Sequence, residues 1–252
     1  MTPTSSNRLL VALALLASPL SAFAWDDCKH AAERSGSVDT TGAERVEIVA
    51  RSGDLTVRPA PAATLSASGR ACASRQSFLD ETQLHVRRRG PVIEVVVQVP
   101  QEMSGIGIFY AYLGLTVQVP AGLPVVVTDS SGDVLIDGVR VVRINDSSGD
   151  VVARHIAGDV EIEDSSGDLR VEDVKGAVRV SDSSGDIVVR RADSVHVVRD
   201  SSGSIDVASV TGNVTIDQDS SGDVVVAGVG GNFALLADGS GDVRVTGVKG
   251  EV

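Results

Sequence analysis

The stretch DSSGDLRVEDVKGAVRVSDSSGDIVV, residues 164–189, decides the fold. It holds one complete unit between two copies of the same five residues. That motif, intact or with one change, begins at Asp129, Asp146, Asp164, Asp182, Asp200, Asp219 and Asp238, at intervals of 17, 18, 18, 18, 19 and 19 residues. A fainter punctuation falls half a unit out of phase, at Gly158-Asp159-Val160, Gly176-Ala177-Val178 and Gly212-Asn213-Val214. Between the marks apolar and polar residues alternate: Leu169 and Val171 against Arg170 and Glu172, Val178 and Val180 against Arg179 and Ser181. A period of two marks a strand, and a repeat of this length marks a solenoid.

A strand of four or five residues cannot bury its apolar face alone. Equivalent strands from successive units, stacked about 4.8 Å apart, form two parallel sheets that share a narrow core. The sequence therefore predicts an all-β fold, a two-sheet parallel β-solenoid with coils of about 18 residues, preceded by a β-rich N-terminal cap. Aromatic residues make up only 3% of the chain, as a thin core of Val, Ile and Leu requires.

Counted from the second Asp of each motif, offsets +1, +3, +6, +10 and +12 should point inward. They give Leu169, Val171, Val174, Val178 and Val180 in one unit, and Val151, Ala153, Ile156, Val160 and Ile162 in another. After Ser204 they give Ile205, Val207, Val210, Val214 and Ile216. The unit after Asp186 breaks step at Val195-His196-Val197-Val198. Either a bulge keeps Val195 and Val197 inside, or His196 turns inward; the bulge is preferred, because a buried His needs a partner.

Residues 1–24 read as a secretory signal peptide: Arg8, an apolar run Leu9–Leu16, then Ser21-Ala22-Phe23-Ala24. Residues 25–44 are polar and small and read as an irregular lead. Residues 45–128 read as a β-rich cap with the first coils, its strands at Val46–Val49, Leu55–Val57, Thr64–Ser68, Leu84–Arg88, Val92–Val99 and Leu115–Val119. Residues 129–252 form the DSSGD-repeat solenoid. No further run of about twenty apolar residues predicts a transmembrane anchor. The expected location is outside the bacterial cytoplasm, in the periplasm, outside the cell or at the cell surface. In such an oxidising compartment Cys28 and Cys72 read as a disulfide, with free or metal-bound thiols as the alternatives. The net charge of −12 makes nucleic acid an unsuitable partner.

The β-rich block ending in Leu115-Thr116-Val117-Gln118-Val119-Pro120, followed by serial SGDV-type repeats over residues 45–252, resembles the bacterial "putative-adhesin" domain family of unknown function. That resemblance implies a β-solenoid in an exported or membrane-associated protein and brings no catalytic residues with it.

Chemistry is then sought in the turns. Asp129, Asp146, Asp164, Asp182, Asp200, Asp219 and Asp238 should stack in one column, and Asp133, Asp150, Asp168, Asp186, Asp223 and Asp242 in a second, with Ser204 in the vacant place. Like charges one coil apart repel by about 0.9 kcal/mol in water and by more when buried. The simplest remedy is a stack of Asx-turns, each carboxylate accepting hydrogen bonds from N–H groups of its own turn. The alternative is a calcium-binding β-roll in which the first column holds Ca²⁺, although the spacing of Gly and Asp departs from such repeats. A polysaccharide-acting β-helix enzyme would need one singular carboxylate pair, which a periodic column does not supply. The sequence thus favours a non-catalytic adhesin-like scaffold or binding module, without a cofactor, facing an envelope or cell-surface protein or glycan. Met103–Leu113 holds Phe109, Tyr110 and Tyr112 and is the candidate partner-binding loop, or else a cover over the open end of the core or a further strand. The C-terminal coil, ending at Val252, is expected to expose a sheet edge open to self-association.

Overall fold

A computed structural model describes residues 28–104, 106–140 and 142–252. The predicted signal peptide lies outside the described residues. The chain forms strands β1 (His30–Asp39), β2 (Arg45–Val49), β3 (Leu55–Ala60) and β4 (Thr64–Ala73), helix α1 (Gln76–Glu81), then β5 (Gln83–Arg89), β6 (Val92–Gln98) and β7 (Ala111–Pro120). The repeats follow as β8 (Val125–Thr128), β9 (Val134–Asp137), β10 (Val142–Asn145), β11 (Val151–Ile156), β12 (Val160–Glu163), β13 (Leu169–Val174) and β14 (Ala177–Ser181). They continue as β15 (Ile187–Ala192), β16 (Ser194–Arg199), β17 (Ile205–Val210), β18 (Val214–Ile216), β19 (Val224–Val229), β20 (Phe233–Leu235) and β21 (Val243–Val248).

Even-numbered strands from β8 to β20 stack in one sheet and odd-numbered strands from β9 to β21 in the other, all parallel and in register. Each coil contributes one short strand to each sheet, so all the stacking contacts are between coils and the architecture is the expected two-sheet parallel solenoid. The inward offsets meet in a single core: Leu169, Val171, Val174, Val178 and Val180 are all buried, as are Ile205, Val207, Val210, Val214 and Ile216. At the irregular unit the register between β14 and β16 shifts after Val180, a bulge that keeps Val195 and Val197 inside. His196 points outward, where its Nε2 lies 2.8 Å from Asp217 Oδ2.

The N-terminal block departs from chain order. β2 lies between β6 and β8, and β3 between β7 and β9, all parallel. The first coil of the sequence is therefore the second in the stack, and the later β6–β7 coil lies outside it. Beyond that coil the pairing reverses. β4 runs antiparallel to β7, β1 antiparallel to β4, and β5 antiparallel to β6, so neither β6 nor β7 is left as an open edge.

Residues 30–39, expected to be irregular, are the ten-residue strand β1. Their small, polar composition hides the strand because β1 is an edge strand with no fully buried residue. What fixes it is its ten-residue pairing with β4 and the disulfide between Cys28 and Cys72, whose Cα atoms are 5.6 Å apart. Helix α1 buries Phe78 and Leu79, and Arg34 donates from Nε to the Thr82 carbonyl and from Nη2 to that of Leu79, satisfying the helix C-terminus.

Candidate functional site

The motif turns are built along the stack as much as within each coil. Gly185 has φ +132°, and a Cβ there would sit 1.9 Å from the carbonyl oxygen of Gly167 in the preceding coil. Glycine is needed both for its conformation and for the space. The second Ser of the motif donates from its hydroxyl to a carbonyl one coil back in successive coils: Ser148 to Ser130, Ser166 to Ser147, Ser184 to Ser165, Ser202 to Ser183. The second Asp column behaves likewise. The backbone N–H of Asp168 donates to Asp150 Oδ1, that of Asp186 to Asp168 Oδ1, and that of Ser204 to Asp186 Oδ1, each at 2.8–3.0 Å. Asp54 heads this column, accepting from Asp133 N–H. Local Asx-turns alone do not describe it: the carboxylates are rungs between coils.

The first column is different. Asp129, Asp146, Asp164, Asp182, Asp200 and Asp219 are buried, with 0–7% of their surface exposed, whereas Asp238 is exposed. Where a turn bond forms it uses one oxygen, as when Ser183 N–H donates to Asp182 Oδ1 at 2.7 Å. The second oxygens of Asp146, Asp182 and Asp200, and both oxygens of Asp129, Asp164 and Asp219, make no close hydrogen bond to protein, although the serine N–H groups of the same turns face Asp129, Asp164 and Asp219. Burial, reinforced by the neighbouring carboxylates, pushes Asp129 and Asp164 up to about 6 and Asp200 up to about 7. Asp146, Asp182 and Asp219 are raised as well, burial again leading. Beside the column lies a groove of about 430 Å³ lined by Asn145, Asp146, Glu163, Asp164, Ser183 and Arg199. Among the described residues no three His, Cys, Asp or Glu side chains converge as a metal site.

A further row was not foreseen. Five residues after the second Asp of each motif the backbone turns left-handed: Gly138, His155, Asp173, Arg191, Ser209, Gly228 and Gly247 have φ between 55° and 75°. This twist lets offsets +3 and +6 both face inward. Glycine would serve it everywhere, yet four successive coils place non-glycine residues there, at up to about 1–2 kcal/mol each, the most for Arg191 and Ser209 and less for His155 and Asp173, whose types enter this region more readily. The side chains of His155, Asp173 and Arg191 join a ladder. His155 Nδ1 is 2.8 Å from Asp137 Oδ1, and Arg154 also bonds Asp137, at 3.0 Å. Arg191 grips Asp173 through Nε and Nη2 at 2.5 and 2.9 Å, and its Nη2 is 3.6 Å from Glu172. Although burial opposes it, hydrogen bonds from His155 and Arg154 hold Asp137 below the usual carboxylate range; the Arg191 bond does the same for Asp173. The offset of +6 rather than +5 in the apolar pattern was the sequence signal for this row.

In the loop between β6 and β7, Phe109 packs edge-on against Phe78, centroids 5.9 Å apart, with the Arg75 guanidinium 4.3 Å over its ring. Tyr110 and Tyr112 are neighbours at 6.2 Å, and the Tyr110 hydroxyl accepts from Lys29 N–H. Phe109 and Tyr110 are half-buried; Tyr112 is exposed. The side chains that project furthest are aliphatic, Ile106 at 99% and Ile108 at 89% exposure, with Met103 also exposed.

These features define a stacked parallel β-solenoid with a reversed, disulfide-tied cap and charged rows on its outer surface. The chain belongs to the Toastrack DUF4097 family, whose model matches residues 33–199. Its structure is similar to that of a "putative lipid binding protein" from Parabacteroides distasonis, with 17% identity, 87% of this chain and 96% of that one covered, and a TM-score of 0.52. It is also similar to a "putative adhesin" from Parabacteroides merdae, with 13% identity, 88% and 96% covered, TM-score 0.49. A third is a "putative cell adhesion protein" from Clostridium sporogenes, with 10% identity, 86% and 99% covered, TM-score 0.37. At these identities the likeness is one of fold. No curated protein matches the chain.

Proposed function

We propose that the protein is a non-catalytic, adhesin-like binding module exported to the bacterial envelope, and that the left-handed row is its recognition surface. The observation that carries this reading is the run His155, Asp173, Arg191 and Ser209, where four coils hold strained side chains at positions that Gly138, Gly228 and Gly247 fill without strain. Backbone strain retained in successive repeats has a use outside the fold, and here the use is display: acid, base and imidazole groups at coil spacing on a rigid sheet. Such a row fits a partner with a repeating array of polar groups, as in an envelope glycan or an extended protein segment. Export rests on the leader-like residues 1–24 and on the disulfide.

Two measurements test it. Protein recovered from producing cells is expected to begin at Trp25 and to fractionate outside the cytoplasm; a chain that keeps Met1 and stays cytoplasmic removes the export reading. Isolated envelopes are expected to retain the wild type at least about tenfold better than the triple variant H155G/D173G/R191G, whose backbone row stays intact. Equal retention of the two proteins removes the row as the recognition surface.

A further inference from the structure

We propose that the β6–β7 loop is a lipid-contacting tip that seats the capped end of the solenoid on a zwitterionic membrane surface through Met103, Ile106 and Ile108. Ile106 and Ile108 stand almost free of protein contact, while the loop's aromatic residues form its base: Phe109 is held by Phe78 and Arg75, and Tyr110 is bonded to Lys29 N–H. Aliphatic side chains this exposed on a protruding loop present apolar area that nothing else described in the fold covers. They suit insertion into the headgroup and acyl boundary, with tyrosines just behind at the polar level.

The chain's own geometry points the same way. β7 begins at Ala111, and its Tyr112 pairs with Cys72, the residue disulfide-bonded to Cys28. The described chain therefore begins, at Cys28, at the foot of this loop. Trp25, the single tryptophan, precedes Cys28 by three residues in the sequence. The net charge of −12 disfavours an anionic surface and selects zwitterionic lipid. No described helix is long and apolar enough to cross a membrane.

This inference rests on export for its biological setting, but its test does not. Residues 25–252, which contain every element of the fold, are mixed with phosphatidylcholine vesicles and followed by flotation and by Trp25 fluorescence. The wild type is expected to float with the vesicles and its emission to shift to the blue. The variant I106S/I108S is expected to melt like the wild type and to lose at least about tenfold in apparent partitioning. A wild type that does not float, or a variant that floats equally well, overturns the proposal. So does retention that appears only when envelope protein is added to the lipid, which would assign the loop to a protein partner. Flotation of a protein that cells never export would sink the export reading and leave this one standing.

Discussion

Raising the pH from about 4.5 to 8 should destabilise this protein, the opposite of the usual acid-side behaviour. The cause is the first Asp column. An Asp whose folded pKa lies above its ordinary 3.8 binds a proton more tightly when folded, so the native state holds more protons than the unfolded chain and stability falls as pH rises. The loss begins near the ordinary value and is complete above the folded one. For Asp200, pushed up to about 7 by burial and by the carboxylates of Asp182 and Asp219, the difference from 3.8 corresponds to about 4 kcal/mol. Asp129 and Asp164, each up to about 6, add to the fall in the same direction. In a chain of this size 4 kcal/mol displaces the melting temperature by roughly 10 °C. The charges facing the column from adjoining segments include Asp54, Asp133, Asp168, Glu163, Asp238 and the cation Arg199. Asp137 and Asp173, held low, lose their contribution only below about pH 4, outside the window. The assay is calorimetric or circular-dichroism melting from pH 4.5 to 8, on the wild type and on Asp200→Asn. The variant cannot ionise and should be more stable than the wild type at pH 8, with a shallower pH dependence. A wild-type melting temperature that is flat or rising across the window, or an Asp200→Asn variant as pH-sensitive as its parent, refutes the reasoning.

Other consequences can be measured on the same samples. Ser209→Gly relieves a φ of 63° and costs unfolded-chain entropy, a net gain of about 0.5–1 kcal/mol by denaturant titration. Gly185→Ala must push its Cβ against the Gly167 carbonyl and is expected to cost more than about 3 kcal/mol or to prevent folding, read by circular dichroism. Cys72→Ser opens a loop with a sequence separation of 44 and should cost about 4 kcal/mol, the same loss that reduction causes in the wild type. Melting in excess Ca²⁺ and in excess chelator is expected to coincide at pH 7, because among the described residues no three carboxylates converge on one point; a large rise with Ca²⁺ would instead establish the β-roll reading.

The repeat made most of the solenoid legible. Residues such as Leu169, Val171, Val178 and Val180 face one core because period-two patterning and an 18-residue interval leave no other arrangement. Even the bulge at Val195–Val198 could be read, since a buried His196 would have lacked a partner. The left-handed row was visible only indirectly. Its positive φ lies in the chain conformation, and two of the residues that carry it, Arg191 and Ser209, belong to types that no left-handed preference marks. The cap was the least legible part. The pairing of β1 with β4 brings together residues 30–39 and 64–73, and nothing in their alternation announces the partner or the reversal of direction. The aromatic loop drew notice for its rings, yet Phe109 is committed to Phe78 and the most exposed groups are the plainer isoleucines.

The misplaced coil carries a consequence for how the chain assembles. β2 and β3 are made early, but both of their neighbours in each sheet are made later: β6 and β8 on one side, β7 and β9 on the other. A chain emerging from its N-terminus must hold residues 45–60 in waiting until β6 and β7 are made to pair with them, and their other edges stay open until β8 and β9 follow. Each coil after that needs only the one just finished. Assembly thus has its long-range pairing at its start, in the cap, followed by coil-by-coil growth, and a chain halted before β6 would leave residues 45–60 without a partner strand.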